Sequence, residues 1–245
     1  MTEPRALQRP AGVAPIGESY RYSNLEPASM AASRAASGAW ASVDLVLAMR
    51  LHFDHFDAGA VATHLDANPG AVFAGSEQAA EGLREAAPRL STRIRGDRPA
   101  EEGSGVLEEG RFRVRFLDLP HGGTWRGHIE NVGLVVEVDG VRILHLGDAA
   151  TEAALYRALN DDVPDIDLLL APFWYLREPE GALVLGELVE APGIVAMHLE
   201  PQRDRGPERA VTRDWPGVGL FCGACAISSR PSTAPFGRAQ GPMFR

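Results

Sequence analysis

Val43-Asp44-Leu45-Val46-Leu47-Ala48-Met49-Arg50-Leu51-His52-Phe53-Asp54-His55-Phe56-Asp57 is the stretch whose reading decides the fold. An apolar run of strand length, residues 45–49, leads directly into imidazole and carboxylate side chains. A continuous apolar run of this length reads as a strand buried on both faces, and it ends where polar groups reach solvent. His52, Asp54 and His55 stand together at that mouth. Imidazole and carboxylate are the natural donors for zinc and similar divalent ions. By itself the cluster also fits a polar turn after a strand, so its meaning depends on the rest of the chain.

Downstream, Asp57 is placed to cap a helix over residues 58–65, and Ser76 to cap another ending near residue 87. Between them Asn68-Pro69-Gly70 signals a turn, and residues 71–73 a short strand. Residues 28–41, rich in Ala and Ser, predict a short helix ahead of the first strand. Residues 96–110 carry Gly, Pro, Glu and Ser and read as a loop. From Arg111 the period changes to two: Phe112, Val114 and Phe116 alternate with arginines, the mark of a half-exposed strand. Residues 132–138 and 141–147 flank Asp139-Gly140, a strong hairpin signal. Thr151 is placed to cap a helix to about residue 160, residues 167–172 predict a buried strand, 181–190 a helix, and 194–197 a strand ending at His198. Strands and helices are grouped rather than strictly alternating, which favours two sheets with helices outside over one parallel sheet.

The chain has 245 residues, 45% of them hydrophobic, which is enough for a sizeable core and argues against global disorder. The formal net charge of -9 argues against nucleic acid or an anionic membrane as the main partner. Every basic side chain apart from histidine is arginine, a bias expected of a GC-rich genome. No apolar stretch approaches membrane-spanning length and no basic segment precedes an apolar one at the N-terminus, so a cytoplasmic protein is expected. Cys222 and Cys225 form a lone C-x-x-C, read as structural rather than as a redox pair or half of a zinc site. Residues 1–15 read as a poorly ordered lead-in, 16–221 as the folded domain, and 222–245 as a Gly-, Pro- and Ser-rich tail.

Four polar clusters fall at or just past strand ends: His52 to His55, His121, Asp148 and His198. The chain has seven histidines, and the remaining ones divide cleanly. His64 is expected on a helix surface and His145 as a core histidine in a hairpin arm. His128 is the one credible substitute for His121. Taken in this order the set resembles the metallo-β-lactamase superfamily over about residues 43–221, and in particular its branch of metal-dependent hydrolases that includes ascorbate-phosphate lactonase-like members. Residues 52–55 resemble the superfamily's H-x-H-x-D-H motif. Leu119-Pro120-His121 resembles its second histidine motif, His145-Leu146-Gly147-Asp148 its Gly-Asp motif, and residues 194–198 its last histidine strand.

The resemblance implies an α+β fold, a four-layer αββα sandwich with the metals at one edge of the two sheets; the lack of a clear strand pair ahead of residue 43 is a departure that leads us to expect an incomplete N-terminal sheet. It assigns His52 and His121 to a first metal, Asp54, His55 and His198 to a second, and Asp148 to both. The ions implied are zinc or another divalent metal such as Mn or Fe, one or two per chain. Two dications about 3.5–4 Å apart share a hydroxide and clamp the attacking and leaving oxygens. The implied function is hydrolysis of an ester, lactone, amide or phosphoester in a small molecule by metal-bound hydroxide, oriented by Asp54. The rival expectation is a degenerate, non-catalytic member that binds one metal or a ligand.

One residue departs from the pattern. Arg50 stands where the motif has its first histidine. In an extended segment residues 50 and 52 point the same way, so Arg50 aims at the first metal. Arginine does not lose its proton and is no ligand. A unit charge about 5 Å from a dication is repelled by roughly 6–7 kcal/mol at an effective dielectric of ~20. The expectation is occupancy of the second site alone, with Arg50 turned to a catalytic use: stabilising an anionic substrate or oxyanion. Loops 96–110 and 174–182 are expected to set which substrate is taken.

Overall fold

The structure is a computed structural model that describes residues 27–52, 55–97, 105–123, 127–159, 163, 165–198, 219–220 and 226–228. The expected lead-in 1–15, Asp54, Cys222 and Cys225 lie outside the described residues. Helix α1 (Pro27–Arg34) precedes β1 (Val43–Ala48), α2 (Ala58–Ala67), β2 (Val72–Ser76), α3 (Glu77–Ala86) and β3 (Ile94–Asp97). Strands β4 (Val106–Glu109), β5 (Phe112–Asp118), β6 (Val132–Val138) and β7 (Val141–His145) come next. They lead to α4 (Ala153–Ala158), β8 (Leu168–Pro172), α5 (Pro179–Leu183), β9 (Gly193–Met197), β10 (Gly219–Leu220) and β11 (Ala226–Ser228).

The strands form two sheets, one ordered β11-β1-β2-β3 and the other β10-β9-β8-β7-β6-β5-β4. In the first, β1, β2 and β3 are parallel, as their intervening helices require. In the second, β4 to β7 run antiparallel, and β7, β8 and β9 are parallel. Asp139 and Gly140 both take positive φ, at 51° and 79°, the type I′ geometry that matches the twist of two paired strands. Glycine adopts this without a Cβ penalty, and Asp is among the few other residues that tolerate it.

Side-chain alternation sorts the core into three layers. Leu45, Met49, Val72 and Ala74 of the first sheet face Phe112, Val114, Phe116, Leu134 and Val136 of the second, all buried. The opposite face of the first sheet, with Ala48 and Phe73, packs on Leu65 of α2 and Leu83 of α3. The opposite face of the second, with Leu117, Val135, Leu144 and Leu169, packs on Tyr156 of α4 and Val184 just past α5. Helix, sheet, sheet and helix are thus the four layers expected. Each full burial of a Leu, Val or Phe contributes about 1.5–3 kcal/mol, so β2, buried along its whole length and feeding two of the three layers, is the most constrained strand of the first sheet.

Local expectations held where a short-range cause dominates. Asp57 accepts from Ala60 N at 2.9 Å at the start of α2, and Ser76 from Ala79 N at 3.3 Å at the start of α3. Other expectations are corrected. Thr151 does not cap α4: its hydroxyl donates to Glu178 at 2.7 Å, and Ala153 N donates instead to Glu180 at 3.1 Å. The stretch read as a loop, 96–110, is strand at both flanks, since β3 pairs with β2 and β4 with β5. Partner strands there override a composition poor in strand formers. The helix expected over 181–190 begins at Pro179 and passes into a π turn, Val184–Leu188, and the 174–182 loop opens with a 3-10 turn, Phe173–Leu176. Residues 226–228, within the stretch read as a tail, pair antiparallel with β1 and extend the first sheet beyond that strand.

Candidate metal centre

Parallel and antiparallel pairings fix where the polar clusters meet. β5 is antiparallel to β6 and β6 to β7, so β5 and β7 run the same way, and β9 runs with them. His121, Asp148 and His198 each lie just past the end of one of these strands and therefore arrive at one edge of the sheet. β1 is brought to the same edge by a backbone bond: Val132 N, at the start of β6, donates to Met49 O at 3.1 Å. The chain then turns tightly, with the N–H groups of His55 and Phe56 both donating to His52 O at 2.9 Å.

The side chains converge into two donor groups that share one carboxylate. His52, His121 and Asp148 form the first, and His55, Asp148 and His198 the second; in each, the candidate donor atoms lie within 4.8 Å of one another. The rings of His52 and His121 meet edge-on with centroids 5.0 Å apart, and those of His55 and His198 stack at 5.2 Å. Asp148 Oδ2 is 3.6 Å from His121 Nε2 and 3.5 Å from His198 Nε2. Two donors on one zinc ion, each about 2.0–2.2 Å from it in tetrahedral geometry, stand about 3.3–3.6 Å apart, so both spacings suit a shared ion. His121 supports this by its tautomer. Its Nδ1 lies 2.7 Å from Gly122 O, which takes the ring proton and leaves Nε2 as the donor atom turned to the site. His128, the alternative, is exposed and belongs to neither group.

Buried groups around the site hold it in place. The Asn131 amide donates to Leu119 O at 2.8 Å and Leu146 O at 3.1 Å, while its Oδ1 accepts from Asp148 N at 2.8 Å. One side chain thereby ties the His121 loop to the Asp148 loop. Gly147 makes room for it: at φ +60° a Cβ there would sit 2.3 Å from Asn131 Oδ1. Gly122 N donates to Asp148 O, and Ala150 N to Pro120 O, each at 2.9 Å. Behind them Tyr175 Oη reaches Ala150 O at 2.8 Å and Ala149 O at 3.0 Å, and meets Tyr156 Oη at 2.5 Å. His198 itself has φ +61°, a left-handed conformation that is uncommon outside glycine and recurs at functional positions. Its ring lies beside Trp174, with centroids 5.0 Å apart.

Sequence reasoning did not single out Asn131, Tyr175 or Trp174. Asn131 leaves the weakest trace, a lone amide before an apolar strand. His145 is a core histidine as expected: its Nδ1 accepts from Gly147 N at 3.0 Å, and burial first, then the positive charge of Arg50, lowers its pKa to about 3. His64 is corrected from helix surface to buried, with Nδ1 2.6 Å from Ser33 O, tying α2 to α1.

Arg50 is the other correction. It is fully buried, at 0% exposure, and its Nη2 lies 2.5 Å from Asp148 Oδ2. A side chain with no accessible surface touches no substrate in this conformation, so the expected contact with an anionic substrate is replaced by an ion pair inside the protein. Burial works against ionisation of Asp148. The hydrogen bond from His198 and the charges of Arg50 and the neighbouring imidazoles outweigh it and hold its pKa down to about 2. His121 is shifted down, first by burial, with the charge of Arg50 adding to the effect. The donor sets therefore fit a divalent ion by type and spacing, but the first group does so with a fixed cation on the oxygen it shares.

A family model described as the Beta-lactamase superfamily domain matches residues 24–205. A protein described as a UPF0173 metal-dependent hydrolase, from Methanoculleus marisnigri, is 27% identical over 169 residues, covering 65% of this chain and 67% of its own. Among solved structures, the metallo-beta-lactamase fold protein YhfI from Bacillus subtilis matches with a TM-score of 0.51 and 15% identity, over 76% of this chain and 78% of its own. Igni18, a metallo hydrolase from Ignicoccus hospitalis, matches with a TM-score of 0.50 and 17% identity, over 77% and 80%. These two likenesses carry the fold, and the family match covers most of the sequence: the chain belongs to the beta-lactamase superfamily.

Proposed function

We propose that the protein is a metal-dependent hydrolase acting on an ester, lactone, amide or phosphoester bond of a small molecule. The observation that carries this reading is the pair of imidazole–carboxylate groups meeting at Asp148. A bound zinc-like cation acidifies water to a pKa near ~7 and polarises the bond to be cut. The chain's own residues do the rest. His198 and Asp148 would supply donors from just past the ends of β9 and β7, and His55 from the turn ahead of α2, so the cation would be held largely from rigid strands rather than by one loop. Asn131 fixes the Asp148 backbone, and the Gly122 carbonyl fixes the His121 tautomer. Asp54, adjacent to His55 and outside the described residues, is proposed to orient the attacking water and take its proton. Zinc is the proposed ion on donor type, a cytoplasmic setting belongs to the same proposal, and the net charge of -9 speaks against a nucleic-acid substrate.

The Arg50–Asp148 ion pair favours a second reading, a member of the superfamily that binds metal or ligand without turnover. The two separate in one assay. Purified protein loaded in turn with Zn, Mn or Fe(II) is offered generic esters, lactones, amides and phosphodiesters, with and without chelator. Chelator-sensitive hydrolysis of one class is the expected result. Bound metal with no turnover on any class would support the non-catalytic reading instead. Among the described residues no helix is long and apolar enough to cross a membrane.

A further inference from the structure

Arg50 and the first donor group compete for the same oxygen. Nη2 of Arg50 lies 2.5 Å from Asp148 Oδ2, and His121 Nε2 and His198 Nε2 lie 3.6 Å and 3.5 Å from that same atom. An ion ligated by Oδ2 at about 2.0–2.2 Å cannot be farther than about 4.7 Å from Nη2. Both positions next to Asp148 thus feel the guanidinium, and a second dication would add its own repulsion to that of the first. The three positive charges cannot share one carboxylate at equal benefit.

The two groups differ in how they bear this. Arg50 stands two residues before His52, just past the end of β1, so the segment that supplies the first group's His52 also carries the guanidinium paired with Asp148. By the resemblance to the superfamily's motif, Arg50 also stands where that motif has a histidine, and arginine donates only hydrogen bonds. The second group shares only Asp148 with the first, and its His55 and His198 rings are stacked on one another. Arg50 is wholly buried, His52 and His55 are both partly exposed, and His198 is 15% exposed where His121 is 8%, so the second group is the more open to solvent.

We propose that Arg50 is a tethered cation standing in for the first ion of a pair, so that the chain binds one metal, at His55, Asp148 and His198. This rests on reading the site as a metal centre, and it adds which ion is held and what replaces the other. The guanidinium orients Asp148 through their ion pair and confines the carboxylate to one ion.

The test is zinc stoichiometry of the full chain by equilibrium dialysis against Zn(II) and elemental analysis. Wild type should retain one zinc per chain, and Arg50→His two. Because a buried arginine is hard to replace, two further variants test the same point with Arg50 in place. His198→Ala should retain none, whereas His121→Ala should still retain one. Cobalt(II) substitution gives an independent readout, with the visible spectrum of one bound ion unchanged by His121→Ala and abolished by His198→Ala. Two zinc ions in wild type would overturn the inference while leaving the metal centre intact. Loss of the ion in His121→Ala with retention in His198→Ala would do the same. No zinc in wild type or in Arg50→His, with both folded by circular dichroism, would overturn the metal-centre reading and this inference with it.

Discussion

The two donor groups at Asp148 use the same chemistry, two imidazoles and one carboxylate, and differ in their surroundings. The first takes His52 from the segment that also carries the buried Arg50, two residues earlier, and His121 from the loop after β5. The second, with His55 and His198, opens beside Trp174 and includes a histidine in a left-handed backbone conformation. Donor type alone would rank the groups equal. The charge fixed behind them does not, and Coulomb's law at these separations makes that charge worth several kcal/mol even at an effective dielectric of ~20. A ligand set is therefore a statement about affinity only together with the charges that face it.

The comparison breaks most severely at the atom the groups share. Asp148→Ala removes a donor from both and takes away a buried counter-charge of Arg50. Deleting one partner of a buried ion pair typically costs about 3–5 kcal/mol. For a chain of this size that lowers the melting temperature by roughly 6–20 °C. Thermal unfolding of the metal-free protein should show it. A shift of only a degree or so would mean that the Arg50–Asp148 pair contributes little to folding.

A smaller effect is expected one step back. Asn131→Ala deprives Asp148 N and the carbonyls of Leu119 and Leu146 of their partner. Leaving a buried group of this kind unsatisfied costs about 1–3 kcal/mol. Loss of a residue that orients a ligand typically weakens metal binding by about 10–100-fold. Isothermal titration with zinc would measure it, and unchanged affinity would remove Asn131 from the account of the site.

The smallest effect is a control in the layer outside the first sheet. Ser76→Ala removes the cap of α3 and should cost about 1 kcal/mol in chemical denaturation. Zinc affinity should not change. A parallel fall in zinc binding would show that the α3 layer is coupled to the Asp148 edge, contrary to the rigid-strand description.

What was legible in the sequence was what short-range physics decides. Asp139-Gly140 announced its hairpin because few residue pairs accept positive φ twice, and Asp57 and Ser76 announced their helices because side-chain caps act within three residues. The histidine clusters at strand ends, with Asp148, pointed to a common edge. Contacts made across the fold left less trace. Thr151 looked like a cap, but two glutamates at and beside the start of α5 took over its surroundings. His64 looked like a surface residue on its helix until the α1 segment covered it. Arg50 could be placed on the metal side of β1 from the parity of the strand, but not its burial or its pairing with Asp148, which depend on β1 and β7 meeting in different sheets. Asn131 was invisible for the same reason: its three partners lie in the separate loops after β5 and β7.

The most direct test of the central claim is a crystal structure of the zinc-loaded protein with anomalous diffraction collected at the zinc edge. The account predicts one strong peak, ligated by His55, Asp148 and His198 at about 2.0–2.2 Å, with Arg50 still paired to Asp148. A peak between His52 and His121, or no peak at Asp148 at all, would contradict it.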